Sequence, residues 1–179
     1  METTIASIAA LAIAALAAVA DWRTSEIANW ITLPSAVISP LLYAFFLGAD
    51  YGLSSVASLF LCSFVPYGLF RQGVMGGGDV KLFAALGAAT GFDIRAGIEI
   101  QLAAFIVAMG IAFGVLAWKG VLIQTLWNAV RLSFRRLCSS SLPRQTDIEA
   151  LTPIRMGGAI FIGTALVALP YLNLQWALV

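Results

Sequence analysis

Histidine is absent from this 179-residue chain. Its absence removes the commonest general base and the commonest metal ligand from any chemistry the protein performs. Charge is scarce too. Asp, Glu, Lys and Arg make up 11% of the residues, about half the fraction usual in a soluble domain, so water is the wrong solvent for most of this surface. The net charge is +1, and the basic residues follow the topology and form no single patch, so nucleic acid is not an implied partner. The two cysteines lie far apart. Cys62 sits in the apolar run Leu59 to Phe64 and reads as a small buried hydrophobe. Cys138 follows a basic cluster and has no ligand-spaced neighbour. No CxxC occurs, so no structural zinc or other metal site is expected.

Apolar residues dominate instead, at 61% of the chain with a mean hydropathy of +0.95. A spanning helix needs roughly 17 to 25 mostly apolar residues. Stretches that approach this length run from Ile5 to Ala20, Ile31 to Gly48, Leu53 to Phe70, Val74 to Phe92, Ala96 to Trp118 and Ile154 to Leu172. The fourth qualifies only if Asp79 and Lys81 are tolerated within it. Only Glu2 precedes the first apolar run, so that run lacks the basic leading region of a signal peptide and reads as a permanent span. The expected fold is all-α: a polytopic membrane protein of about six transmembrane helices, forming one membrane-embedded domain over residues 1–179.

The loops give a direction. Arg23, Arg71, Lys81, Lys119, Arg131, Arg135, Arg136, Arg144 and Arg155 fall on one side, and only Arg95 on the other, with Glu2, Asp50, Asp93 and Glu99. The positive-inside rule puts the basic side in the cytoplasm and both termini outside. The one long cytoplasmic loop is 119–153. Its first part, Val121 to Leu137, mixes apolar residues with Arg131, Arg135 and Arg136, as an amphipathic helix on an anionic leaflet would. Ser139 to Pro143 reads as a loop. Membrane lipid is therefore an implied partner, and no internal repeat is visible.

Ionisable groups at membrane depth are costly and by default point to function. Asp21 stands where the first span reaches the basic face, within Asp21-Trp22-Arg23-Thr24-Ser25-Glu26-Ile27-Ala28-Asn29. Asp79 stands where the fourth leaves that face, within Gly76-Gly77-Gly78-Asp79-Val80-Lys81-Leu82. The topology brings both to one depth, as a carboxylate pair requires. Two carboxylates a few ångströms apart share a proton. One then serves as general base on a water while its protonated partner polarises a carbonyl. A glycine run before Asp79 leaves the backbone open to close approach by an extended peptide. Plainer roles fit each acid alone: Asp79 as a helix cap, Asp21 as the point where a helix meets water. Lys81 lies off the Asp79 face of a helix and is expected to reach head groups or another acid such as Asp21. Glu26 reads as a surface residue, and Asp93, Arg95 and Glu99 as a solvated outer loop. Met156-Gly157-Gly158-Ala159 suits helix packing through small residues.

Gly76-Gly77-Gly78-Asp79 contains Gly-x-Gly-Asp, and in this it resembles the intramembrane aspartic peptidases that include presenilin-like enzymes and type IV prepilin peptidases. The continuation through Val80, Lys81 and Leu82 is similar to the prepilin peptidase form. The first catalytic motif of that family has an aspartate, an arginine two residues on, then Ile-Pro-Asn. Asp21, Arg23, Ile27 and Asn29 match it, and Ala28 replaces the proline, which leaves the local turn open. The resemblance implies a peptidase that removes the basic leader of type IV pilin-like precursors after a glycine, at the cytoplasmic face of a bacterial inner membrane. It implies Asp21 and Asp79 as the catalytic pair, with Arg23, Asn29, Gly76, Gly77, Gly78 and Lys81 supporting the motif or the substrate, and no cofactor. Larger relatives also methylate the new N-terminus through an added cytoplasmic domain between the first two spans. The short, cysteine-free connection here implies peptidase activity alone and is similar to the form found in Flp-type, tight-adherence pilus systems. Two other readings remain: a non-catalytic scaffold of a pilus or secretion apparatus, and a small ion-coupled transporter. Transporter sites lie near the midplane on broken helices, often in repeated halves, unlike two acids at the membrane edge. The sequence sets no oligomeric state.

Overall fold

The computed structural model describes residues 2–91, 93–120, 127 and 156–176. Among them six helices form: α1 (Glu2–Thr24), α2 (Asn29–Phe46), α3 (Ala49–Arg71), α4 (Gly77–Ala89), α5 (Ile94–Trp118) and α6 (Met156–Trp176), with no strand. The fold is all-α. Four of the helices, α1, α2, α3 and α5, are long and apolar enough to cross a membrane. The expected amphipathic helix over Val121 to Leu137, the loop from Ser139 to Pro143, Cys138 and Arg155 lie outside the described residues.

The chain divides into two units, Met1–Ala108 with Arg155–Val179, and Met109–Ile154. All packing described below belongs to the first. Its surface is that of a protein in an apolar solvent. Phe45, Phe60 and Phe64 point outward, between 67% and 83% exposed, while Ser55, Ser58 and Thr164 are fully buried. In hydrocarbon the outer rings gain nothing by turning inward, and polar side chains hydrogen-bond between or within helices instead. Thr164 returns its hydroxyl to the Ile160 carbonyl within its own helix.

The fourth apolar stretch differs most from its sequence-based expectation. Instead of running from Val74 to Phe92, its helix covers only the 13 residues of α4. At 1.5 Å per residue that is about 20 Å, short of the ~30 Å hydrocarbon core. It starts only at Gly77, after the cap at Gly76, and its C-terminal end turns at Thr90, whose carbonyl accepts the Asp93 backbone N–H. This short helix is nonetheless the centre of the bundle. Leu82, Phe83, Ala85, Leu86, Ala88 and Ala89 are all buried, and α1, α2 and α3 pack around it.

Small residues and serines hold α4 to its neighbours. Ser55 of α3 donates to the Ala88 carbonyl at 2.7 Å and Ser54 to the Gly91 carbonyl at 2.7 Å. From α2, the Tyr43 hydroxyl donates to the Ala89 carbonyl. These three bonds fall on carbonyls at and just past the C-terminal end of α4, where the helix runs out of internal donors. Cys62 is buried, as its apolar setting predicts, and its side chain fills the space left by Gly87 and Gly97.

A candidate active site where three helices meet

The position of Asp21 follows from the periodicity of α1. Ala6, Ala10, Ala14 and Ala17 are each 3% exposed or less, and their spacing of three and four residues makes one stripe along the helix. Asp21 is the next member of that stripe and is itself 7% exposed. A helix face built for close packing therefore carries a carboxylate inward at its end.

Three residues later α1 stops. The Thr24 hydroxyl donates to the Ala20 carbonyl at 2.9 Å and is 3.0 Å from the Glu26 carbonyl. Ser25 takes the left-handed conformation at φ 56°, and the chain turns into α2. Ala28 caps α2 with φ −66°, and its carbonyl accepts the Ile31 N–H. A proline ring locks φ near −65°, so alanine here reproduces the turn that the related motif builds with proline. Ala28→Pro is expected to keep the fold and raise stability by about 0.5 kcal/mol, since it restricts only the unfolded chain. Thermal unfolding of the two proteins in detergent measures this.

Asp79 reaches the same place from α4. Gly76 caps that helix and Asp79 is its third residue, half-buried, with its carboxylate accepting the Gly76 backbone N–H. A third-residue acid that returns to the capping N–H is the capping-box arrangement, so the plainer reading of Asp79 as a helix-end residue is realised in part. The carboxylate also lies close enough to Asp21 for the two charges to act on each other. The structure brings the two sequence-selected aspartates together.

The flanking motif residues lock the two segments to each other. A side chain on Gly78 would place its Cβ 3.0 Å from the Ile27 Cβ, so the close approach of the two motifs needs a glycine at that position. Gly77 has a similar relation to the Phe70 ring, at 3.4 Å. Gly76 alone of the three is exposed. Lys81 takes a partner other than the acid expected for it: its Nζ donates to Asn29 Oδ1 at 2.9 Å. Asn29 is the first residue of α2 and Lys81 lies one turn into α4, so this bond ties the starts of the two helices. Arg23 stands apart from that lock. It is exposed and, with Trp22, borders a cavity of about 710 Å³ lined by Ala15, Ala18, Val19, Asp21, Gly158, Phe161 and Ile162.

One contact was not foreseen. The Gly157 backbone N–H, in the first turn of α6, donates to Asp21 Oδ2 at 3.1 Å. The sequence offered only paired glycines at a helix start, which read equally well as packing residues. At the start of α5, Asp93 accepts the Arg95 backbone N–H at 3.0 Å and so caps that helix. No cluster of three or more His, Cys, Asp or Glu side chains able to hold a metal ion occurs among the described residues.

The sequence pattern of the type IV leader peptidase family matches residues 8–130. That is more than half of the chain, and it includes both aspartates, the glycine run and the Asn29–Lys81 bond. The chain belongs to the type IV leader peptidase family. It is thus a membrane peptidase, a hydrolase whose family processes precursor peptides. No curated protein and no solved structure matches it. The family match ends before α6 begins, so the contact from Gly157 is one that this leader peptidase's own structure supplies.

Proposed function

We propose that this leader peptidase is an aspartic endopeptidase that removes the basic leader of type IV pilin-like precursors. The cut falls after a glycine at the cytoplasmic face of a bacterial inner membrane, with Asp21 and Asp79 as the catalytic pair. The observation that carries this reading is the meeting of the two carboxylates at the ends of α1 and α4, each holding a backbone N–H from a glycine.

The chemistry needs nothing beyond this pair and a water. Two carboxyl groups so placed can share one proton between them. The unprotonated carboxylate takes a proton from water as the water oxygen bonds to the scissile carbonyl carbon. The protonated partner gives its proton to the carbonyl oxygen. Collapse of the resulting gem-diol breaks the C–N bond. The proton taken from water passes to the leaving amine. As the carbonyl re-forms, one hydroxyl of the gem-diol returns its proton to the carboxylate that had given one up, and the pair is back in its starting state. The exposed backbone at Gly76 beside Asp79 gives an extended peptide a place to lie. Arg23 at the end of α1, Arg71 at the end of α3 and Lys81 at the start of α4 share the face of the pair, which by the positive-inside rule is the cytoplasmic one. The short α1–α2 connection supports peptidase activity without methylation.

Inverted membrane vesicles containing the full chain test this with a precursor made of a basic leader, a glycine and an apolar helix. The expected product is shortened by the leader, begins at the residue after the glycine and carries an unmethylated N-terminus. Replacing that glycine with leucine is expected to stop the cut. If several such precursors stay at full length, the reading fails and a scaffold or transporter takes its place.

A further inference from the structure

Asp21 is not held by α1 alone. Its carboxylate is buried at the end of the alanine stripe, and one face of it is closed by the first turn of α6. There Gly157 is the second residue of the helix, so its N–H is one of the donors that a helix leaves without an internal partner. That donor is satisfied by Asp21 Oδ2 at 3.1 Å. The same residue also has no room for a side chain. A Cβ on Gly157 would lie 2.7 Å from Asp21 Oδ2, 2.8 Å from its Cβ and 3.1 Å from its Cγ. The three atoms nearest to it all belong to this one aspartate. Gly158, next in sequence, has open space at its Cβ position. Gly163, farther along α6, abuts the backbone of Ala103 and Ala104 and is a packing glycine of the ordinary kind.

The arrangement at Asp79 is the counterpart. Its carboxylate accepts the Gly76 N–H at the start of α4, and a Cβ on Gly76 would lie 3.1 Å from Asp79 Oδ2. Each carboxylate is thus held by a glycine N–H at a helix N-terminus, where the helix dipole favours negative charge. Aspartate has few rotamers, and one hydrogen bond with one steric wall suffices to select among them.

We propose that Gly157 is a positioning residue for the catalytic pair, so that the first turn of α6 is a third part of the active site. Its N–H orients the Asp21 carboxylate, and its missing side chain leaves the carboxylate its place beside Asp79. This rests on the peptidase reading for its catalytic consequence, but the contact itself is testable without activity.

Gly157→Ala, Gly158→Ala and Gly163→Ala in the full chain separate positioning from packing. Gly157→Ala is expected to lower kcat at least 50-fold, with KM within threefold and Tm within a few degrees of wild type. Gly163→Ala is expected to lower Tm while the folded fraction keeps kcat within threefold. Gly158→Ala is expected to change neither. Replacing Gly157 by glycolic acid, which exchanges the N–H for an ester oxygen and adds no side chain, isolates the hydrogen bond and is expected to lower kcat about tenfold. Labelling of Asp21 by an apolar carbodiimide, read by mass spectrometry against exposed Glu26, reports the contact directly. In Gly157→Ala it is expected to rise severalfold, and in Gly163→Ala to stay as in wild type. Wild-type kcat and labelling in Gly157→Ala would overturn the proposal, as would parallel losses of kcat and Tm in both the Gly157 and Gly163 variants. If wild type cleaves no precursor while the labelling still rises, the peptidase reading falls and the positioning contact stands.

Discussion

Asp21→Asn and Asp79→Asn are each expected to leave the precursor at full length, with cleavage reduced about 10³-fold or more, a loss of about 4 kcal/mol in transition-state stabilisation. The double variant is expected to be no worse than either single one, because the two groups act as a unit and removing either disables both. Asparagine is close to aspartate in shape, and its Oδ1 can still accept the N–H of Gly157 or Gly76, so neither helix end loses its acceptor. Insertion and thermal stability should therefore be preserved. Stability should if anything increase, because each substitution ends the cost of crowding two carboxyl groups with one proton between them into a poorly solvated place. Loss of activity together with equal or greater stability is what distinguishes a functional acid from a structural one. Precursor conversion on a gel and thermal unfolding of the same preparations give both readings. Either variant cleaving within tenfold of wild type would remove that aspartate from the chemistry. A large drop in Tm in both would make them structural residues.

The two aspartates were legible because their surroundings are so uniform. In a chain with no histidine and 11% charged residues, an acid at the end of an apolar run stands out, and hydropathy alone carries two such acids to one face. Three features were not. The length of α4 was overestimated, because hydropathy counts Val74 and Met75 as membrane residues while the extended backbone of the Gly76 cap leaves both outside the helix. The partner of Lys81 was missed because nothing in local spacing relates it to Asn29: that bond exists only once Gly78 and Ile27 bring the motifs together. Gly157 was missed for a related reason. A glycine's function lies in what approaches it, and sequence alone names no approaching group. Ala28 teaches the reverse, because a motif position can change residue and keep its backbone, with φ −66° where proline would impose nearly the same value.

Gly91→Ala is expected to be among the most destabilising single methyl additions in the bundle. A Cβ at that position would lie 2.2 Å from Ser55 Cα, 2.6 Å from its Cβ and 2.8 Å from its Oγ. The first of these is backbone, so no rotamer change relieves the contact and α3 must move away from the end of α4. That movement also strains the bonds from Ser54 to the Gly91 carbonyl and from Ser55 to the Ala88 carbonyl. Overpacking of this kind costs about 1–3 kcal/mol, and each weakened buried hydrogen bond adds about 1 kcal/mol. A total near 3 kcal/mol corresponds to a fall of about 6–12 °C in Tm. Gly68→Ala provides the comparison. It lies within α3 with nothing in reach of its Cβ, and an alanine in a helix interior is expected to gain about 0.5–1 kcal/mol over glycine. Because α4 carries Asp79 at its other end, cleavage by Gly91→Ala should fall only in proportion to the folded fraction at the assay temperature and recover on cooling. A variant with wild-type Tm would mean that α3 and α4 are not packed as closely as these distances require. A variant with full stability but no cleavage would mean that the end of α4 communicates with its start, and the serine bonds would then set the position of Asp79.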